Sequence, residues 1–379
     1  MKKVFMFVNV DWFFLSHRIS LAKNAFQNGI DMRVYADLTG IKVTSEEDRY
    51  SLHRSPLSRS KKNFFSIISE FIKVYFLILK NKPDLIHAVT IKPIIFLGIV
   101  SRIIGIPFIG AVSGLGPVYN RETIFKRYRL RFVMMLYKYI FDSNSSAIIC
   151  QNSHDKEILL NFKIGSQASI ITVPGSGVDL QKFKPIKQDK KSPIILMACR
   201  ILKEKGIYEF CSAAESFKAN NNMKARFILA GPIDSDSPSA IQEKNLRSLC
   251  EKSGVEYVGD RKDMNLLIAS ASIFILPSYY SEGLPKVLLE AAACGIPIIT
   301  TDHPGCRDAI LNEKTGILIE PHNSKALYSA ILNLLSNPDR LIDMGKSARE
   351  LAEKSFDENR VRETHYLLYE KYLNESFLS

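Results

Sequence analysis

The chain is expected to be an α/β protein built as two doubly wound, parallel-sheet domains, and three observations carry that expectation. Short apolar runs rich in β-branched residues alternate with helical segments along the whole sequence, and such alternation builds parallel sheets with helical crossovers. The 379 residues exceed one ordinary core, since domains cluster around 100–200 residues. Near the middle stands Pro174-Gly175-Ser176-Gly177-Val178-Asp179, a Gly, Pro and Ser cluster of the kind found at boundaries, after which the alternation starts again. The expected division is residues 1–183, residues 184–357, and a terminal helix over 358–379. Both halves read as Rossmann-like, with two sheets facing a cleft. No short fixed repeat occurs, which excludes a solenoid.

In the first half a strand over 4–10 precedes Ser16, which caps a helix to about residue 28, closed by Gly29, and a second strand covers 32–36. Residues 38–63 form an irregular basic loop with Arg49, Arg54, Arg59, Lys61 and Lys62. An amphipathic helix over 64–81 leads to a strand over 84–89. A helix over 93–104, stopped by Gly105, precedes a strand over 108–112 that runs into Ser113-Gly114-Leu115-Gly116. A strongly basic helix over 121–141 and strands at 147–150 and 169–173 complete this half. The second half reads strand 194–199, helix 206–218, strand 226–230, helix 239–252 and strand 256–258. An apolar strand over 272–277 then leads into a helix from Pro285 to a stop at Gly295 and Pro297. A last strand at 316–319 and helices near 324–336, 339–354 and 358–373 finish the chain.

Composition narrows the class. Residues 1–185 hold 26 Lys/Arg against 13 Asp/Glu, and residues 186–379 hold 25 against 26. The excess positive charge therefore sits in the first half and points to an anionic partner, phospholipid or nucleic acid. No nucleic-acid motif accompanies it, which favours a membrane face. The six cysteines show no metal or redox spacing and read as reduced thiols of a cytoplasmic protein. The N-terminus reads as a first strand, not a signal peptide. Residues 64–79 carry Glu70 and Lys73, and residues 91–112 are divided by Lys92, Arg102, Gly105 and Pro107. Both read as buried elements rather than membrane spans.

The most specific stretch is 281–297, Ser-Glu-Gly-Leu-Pro-Lys-Val-Leu-Leu-Glu-Ala-Ala-Ala-Cys-Gly-Ile-Pro. It places Glu282 in a loop after a buried strand and Glu290 within the following helix. The amides and positive dipole at that helix start suit a phosphate, and the carboxyl end of a sheet strand is where such folds bind ligands. As isolated residues, Glu282 and Glu290 serve equally well as solvated surface carboxylates. With 297–307, Pro-Ile-Ile-Thr-Thr-Asp-His-Pro-Gly-Cys-Arg, the stretch resembles the signature of the retaining nucleotide-sugar glycosyltransferases of family four, which have the GT-B fold.

That resemblance implies a set of roles. Arg200 and Lys205, on a loop after the 194–199 strand, match the family's diphosphate clamp, a planar fork and a point charge for the leaving group. Glu290 is implied to bind ribose hydroxyls, and Glu282 with the amides near Gly283 and Leu284 to hold the donor sugar. The segment with Val258, Gly259, Asp260 and Arg261 is implied to meet the base. Tyr279 and Tyr280 either stack on a ligand or pack. The family is thought to need no carboxylate nucleophile, since the departing phosphate helps take the acceptor proton on the same face of the sugar. A UDP-sugar is then a substrate and no cofactor or metal is required. Asp234-Ser235-Asp236 has the Asp-x-Asp spacing by which transferases of another fold hold manganese, but it lies where Arg200 and Lys205 already supply charge.

Catalytic histidines are sought in the first half. His17 and Arg18 follow the first strand and are expected to face the cleft. His87 matches the first His of the family's Asp-x-x-His-x-His pattern, whereas Val89 occupies the second His position. His17 and His87 are therefore rival catalytic candidates beside Glu282, although a lone His within a strand, as His87 is, is more often simply buried. Phe13 to Arg18, with Ser113 and Gly114, are similar to bacterial members that extend polyprenyl-diphosphate-linked sugars for surface polysaccharide or glycan. The implied acceptor sits at a membrane, and Lys126, Arg127, Arg129 and Arg131 suit the anionic inner face of the cytoplasmic membrane. A nucleotide-sugar epimerase of the same fold, or a non-catalytic nucleotide- or lipid-binding module, is the alternative.

Overall fold

The structure, a computed structural model, describes residues 1–40, 50–58, 63–115, 124–166, 169–186, 192–220, 223–235, 237–280 and 282–375. Arg49, Arg59, Lys61, Lys62, Gly116, Asp236 and Ser281 lie outside the described residues. The chain divides into two compact units, Met1–Ser176 with Asn359–Ser379, and Gly177–Glu358.

The first unit holds a seven-stranded sheet: β1 (Lys2–Val10), β2 (Ile30–Asp37), β3 (Ser51–Arg54), β4 (Leu85–Val89), β5 (Phe108–Val112), β6 (Ser146–Cys150) and β7 (Ile170–Thr172). Their order is β3-β2-β1-β4-β5-β6-β7, and every neighbouring pair is parallel. Successive strand residues face opposite sides, and β1 shows the consequence. Phe5 and Phe7 join one core with Ile86, Val74, Ile78, Leu97 and Tyr137. Val4, Met6 and Val8 join the other with Leu21, Ala25, Tyr369 and Tyr372. The first layer is made by α3 (Phe64–Asn81), α4 (Ile91–Ile104) and α5 (Ile124–Phe141), with α4 packed against both its neighbours. The second layer contains α1 (Asp11–His17) and α2 (Ile19–Gln27). The last helix, α13 (Glu358–Glu375), also lies here, since its Tyr369, Tyr372 and Leu373 are buried among β1, β4 and α2 residues. A further helix, α6 (Ser153–Asn161), is capped by the Asn152 side chain, which accepts from the Asp155 amide.

Three local expectations differ from the structure. The loop over 38–63 contains β3, a parallel edge strand whose Ser-Leu-His-Arg sequence is largely exposed; an edge facing water shows no apolar run to read. Ser16 is not at a cap position but inside α1, its hydroxyl donating back to the Trp12 carbonyl at 2.8 Å, and the helical stretch after β1 breaks at Arg18 into α1 and α2. Only one stripe of α3, Glu70, Val74 and Ile78, is buried; its other apolar face lies at the surface.

The second unit repeats the plan with β8 (Ile194–Ala198), β9 (Arg226–Ala230), β10 (Val255–Tyr257), β11 (Ile273–Leu276), β12 (Ile298–Thr301) and β13 (Gly316–Ile319). Their order is β10-β9-β8-β11-β12-β13, again with parallel pairs throughout. The helices are α7 (Ile207–Asn220), α8 (Glu243–Ser253), α9 (Met264–Ser270), α10 (Lys286–Ala293), α11 (Ser324–Leu335) and α12 (Pro338–Leu351). The division falls after Ser176, inside the 174–179 cluster, rather than after residue 183. Val178 and Phe183 are buried in the core of the second unit, and Val178 exchanges backbone hydrogen bonds with Phe356 and Glu358 at 2.8 and 3.1 Å. Gly177 has φ +68°, and a Cβ there would lie 2.6 Å from the Glu358 Cα; the two crossing strands of chain approach too closely for a side chain.

Candidate functional site

In a doubly wound sheet ligands bind beyond the strand carboxyl ends where the strand order reverses. In the second unit that place is between β8 and β11, and the loops after these two strands are joined. Gly206, at φ +82°, presses on the second loop so closely that a Cβ would lie 2.3 Å from the Pro277 carbonyl oxygen. The Tyr279 amide and hydroxyl donate to the Glu204 and Lys203 carbonyls at 3.0 Å each, and Ser278 Oγ donates to Glu204 O at 3.3 Å. Tyr279 is thus engaged in packing the two loops.

The joined loops bring charges together. Lys205 is buried, donates a short hydrogen bond to Glu282 Oε1, and its Nζ lies 5.4 Å from the Tyr280 ring centre. Ser278 Oγ lies 3.3 Å from the same Glu282 oxygen, which competes with the Glu204 carbonyl for its one hydrogen. Arg200, on the β8 loop, pairs with Asp234 at 2.8 Å, so the first acid of the Asp-x-Asp stretch is a partner of Arg200. Gly283 and Leu284 are buried at the start of α10, whose first-turn amides have no intrahelical acceptor. Pro285 occupies the cap position and contributes no amide. A third loop supports this one: Gly305, at φ +85°, approaches so closely that a Cβ would lie 2.0 Å from the Gly283 carbonyl oxygen.

Glu290 projects from α10 with its side chain 12% exposed and 3.9 Å from Lys286 Nζ. Burial raises its pKa to about 7, against the opposing pull of Lys286 and Lys182. Folding therefore favours the protonated acid. Between the ordinary value of 4.5 and about 7 the native state holds a proton that the unfolded chain has released, so stability falls as pH rises through that window. We expect Glu290→Gln to gain stability relative to wild type by up to about 3 kcal/mol between about pH 4 and pH 8, measured by denaturant titration. A pH-independent difference would mean that Glu290 ionises normally.

Arg261 stands on the loop after β10 and pairs with Asp263 through Nε–Oδ1 and Nη2–Oδ2 contacts of 2.8 and 2.6 Å, with 43% of its side chain exposed. Arg261 is thus engaged by Asp263 on its own loop.

In the first unit the strand order reverses between β1 and β4. His17 is half-buried there, its Nδ1 2.6 Å from Ser16 Oγ and its ring stacked on Phe13 at 4.5 Å. Arg18 is a correction to the expected cleft position, and His87 takes the buried alternative rather than the catalytic one. His87 is fully buried, on the face of β4 covered by α13, where Nδ1 meets the Tyr369 hydroxyl at 2.7 Å. Burial, with His365 and Arg18 nearby, pushes its pKa well below the ordinary value, so the ring is neutral and out of reach of a substrate hydroxyl. Arg18 is buried in the same cluster, its pKa lowered by burial to about 10, and among the described residues none of its guanidinium nitrogens has a hydrogen-bond partner. Both faces of a central parallel strand are covered by helices, which is why His87 is enclosed. Ser113 and Gly114 follow β5; Gly114 has φ +105°, and the next amide, of Leu115, reaches Asp155 Oδ1 at 3.3 Å. Arg127, Arg129 and Arg131 are exposed on α5; the side chain of Lys126, in the same helix, lies outside the described part.

A family model described as "Glycosyl transferases group 1" matches residues 179–351, and one described as "Glycosyl transferase 4-like" matches residues 3–152. The chain is 31% identical over 329 residues, 83% of its own length and 84% of the relative, to the N,N'-diacetylbacillosaminyl-diphospho-undecaprenol alpha-1,3-N-acetylgalactosaminyltransferase of Campylobacter jejuni. The chain belongs to the group 1 glycosyl transferases. This transferase is also 26% identical over 76% of both chains to the UDP-Gal:alpha-D-GlcNAc-diphosphoundecaprenol alpha-1,3-galactosyltransferase of Escherichia coli. Its fold, GT-B, matches that of sucrose-phosphate synthase from Thermosynechococcus elongatus with a TM-score of 0.80 at 19% identity, covering 99% and 100% of the two chains.

Of the expected donor-side residues of the transferase, the structure joins Lys205 with Glu282 and places Gly283 and Leu284 beside them. Arg200 and Arg261 each have an acid of their own. Sequence reasoning missed Asp234 as the counter-ion of Arg200, Ser278 beneath Glu282, and the His365–Tyr369 pair over His87. The first could be suspected from an acid following Ala230-Gly231-Pro232 at the end of a neighbouring strand; the last had only its i, i+4 spacing on the terminal helix.

Proposed function

We propose that the chain is a retaining glycosyltransferase that moves a hexose or N-acetylhexosamine from a UDP-sugar to a polyprenyl-diphosphate-linked saccharide during surface polysaccharide or glycan assembly. The observation that carries this reading is the buried Lys205, held against Glu282 at the sheet's reversal point. A cation fixed there, with Arg200 on the same loop, neutralises a departing diphosphate in a low-dielectric setting, where such stabilisation is strongest. Glu290 takes the ribose hydroxyls, Glu282 and the amides of Gly283 and Leu284 hold the sugar, and the loop with Arg261 meets the base. The departing phosphate accepts the proton of the acceptor hydroxyl on the face it leaves, so no carboxylate nucleophile and no metal ion is needed. His17, with Ser113 and Gly114, stands on the acceptor side.

The names of both relatives support the acceptor class, since each acts on a sugar carried by a diphospho-undecaprenol, and one names a UDP-sugar. Among the described residues no helix is long and apolar enough to cross a membrane. The basic residues of α5, from Lys126 to Arg131, attract the enzyme to the anionic cytoplasmic side of the membrane, each contributing roughly 1 kcal/mol near the surface. Purified protein incubated with a panel of radiolabelled UDP-sugars and a synthetic polyprenyl-diphosphate saccharide is expected to label the lipid for one donor, with the anomeric configuration retained and with no loss in EDTA. No labelled lipid with any donor would overturn the reading.

A further inference from the structure

We propose that the outer face of α3, α4 and α5 is a lipid-inserting surface, whose apolar side chains enter the interface of an anionic phospholipid layer while its lysines and arginines contact the headgroups. The proposal deepens the membrane part of the proposed function, from charge attraction by α5 alone to insertion led by α3.

The first observation is that α3 carries two apolar stripes. One is buried against the sheet. On the other, Phe64, Phe65, Ile68, Ile72, Phe76 and Leu79 fall within an arc of about 120° at 100° per residue. They are exposed, with Phe65 at 80%, Phe64 at 70% and Phe76 at 60%. Lys73 and Lys80, also exposed, fall just beyond one edge of the arc, where a flexible stem lets the ammonium reach headgroups.

The second observation is that α5 repeats the pattern. Tyr128, Phe132, Met135 and Tyr139 are exposed, Phe132 at 57%, and share an arc of about 60°. Exposed Arg127, Arg131 and Lys138 border it on one side and Arg129 on the other. Between the two helices α4 adds exposed Ile103, and its Arg102 lies 5.5 Å from the Tyr139 ring centre. Contiguous exposed apolar area of this kind marks an interaction surface, and aromatic residues edged by Lys and Arg are the composition of interfacial helices.

Charge decides the occupant. Across the three helices the sequence has nine Lys/Arg and a single carboxylate, Glu70, which is buried and 2.7 Å from Lys92 Nζ. A second copy of this face would bring like charges together. An anionic lipid surface matches both the positive border and the apolar centre.

The test is co-sedimentation of the full-length protein with vesicles of phosphatidylcholine, with and without phosphatidylglycerol, at low and high salt. It needs no sugar donor or acceptor, so its result is independent of the transfer reaction. We expect anionic vesicles to bind best and a measurable fraction to persist at high salt, where charge attraction is screened. Phe65→Ser combined with Ile72→Ser and Phe76→Ser is expected to weaken binding at least 100-fold, given roughly ten-fold for each large side chain withdrawn from lipid. Leu367→Ser, an exposed position on α13, is the control and is expected to leave binding unchanged. The substituted side chains are exposed, so an unchanged melting temperature confirms the fold. As a second readout, Phe65→Trp in a Trp12→Phe background is expected to show a blue-shifted emission on vesicles. Full binding by the triple variant, or wild-type binding abolished by salt, overturns insertion. A self-association lost in the triple variant with vesicle binding retained would show a protein-binding face instead and overturns it too.

Discussion

Lys205→Met is expected to lower sugar transfer about 10²- to 10³-fold, the cost of removing one preorganised charge from a developing anion. The same change leaves Glu282 in a largely enclosed site without its cation, and breaking such a pair destabilises a protein by about 3–5 kcal/mol. The two effects separate in Lys205→Met combined with Glu282→Gln. A neutral amide beside a neutral thioether removes the stranded charge, so the double variant is expected to recover most of the stability while transfer stays low. Initial rates at saturating donor, measured beside a denaturant titration, read both quantities. A single variant with a wild-type rate would reduce Lys205 to a structural counter-ion of Glu282.

Gly305→Ala is expected to displace the loop that carries Glu282. At φ +85° an L-residue pays the left-handed penalty of about 1–2 kcal/mol, and its Cβ would be driven to 2.0 Å from the Gly283 carbonyl oxygen. The neighbour is backbone and has no rotamer through which to yield, so the loop bearing Glu282, Gly283 and Leu284 must move. We expect a loss of about 3 kcal/mol or more, with UDP affinity weakened at least ten-fold by calorimetry. Gly29→Ala is the comparison, since Gly29 has φ +75° but nothing within 4 Å of a Cβ; it is expected to cost only the backbone penalty and to leave affinity unchanged. Equal effects of the two substitutions would mean that the contact with Gly283 is not constraining.

These two positions also show what a sequence discloses and what it withholds. The strands of both sheets were legible because a buried parallel strand is an uninterrupted apolar run, as in Phe108–Val112 and Ile273–Leu276. The loop of Glu282 was legible because a strand, a tight turn and a helix start occupy one contiguous stretch. Its dependence on Gly305 was not, because the approach joins segments that only the fold brings together. Edge strand Ser51–Arg54 was hidden by its polarity. Burial of His87 was legible from its place within a strand, but the enclosure of Arg18 and the identity of the covering side chains, His365 and Tyr369, were not, because those residues lie far along the sequence on α13. α3 misled in the other direction: its apolar content implied burial, whereas the sheet has room to cover only one of its two stripes.

The return of α13 to the first sheet has a consequence for how the protein is made. Tyr369, Tyr372 and Leu373 fill the core between β1, β4 and α2, so the domain synthesised first lacks part of its interior until α13 has left the ribosome. Vectorial synthesis ordinarily lets an N-terminal domain fold before its successor appears. Residues 177–358 have a core of their own, whereas without α13 the earlier half has part of one face of its sheet uncovered beside α1 and α2. A chain truncated before residue 369 therefore keeps all of residues 177–358 but lacks part of the first domain's interior.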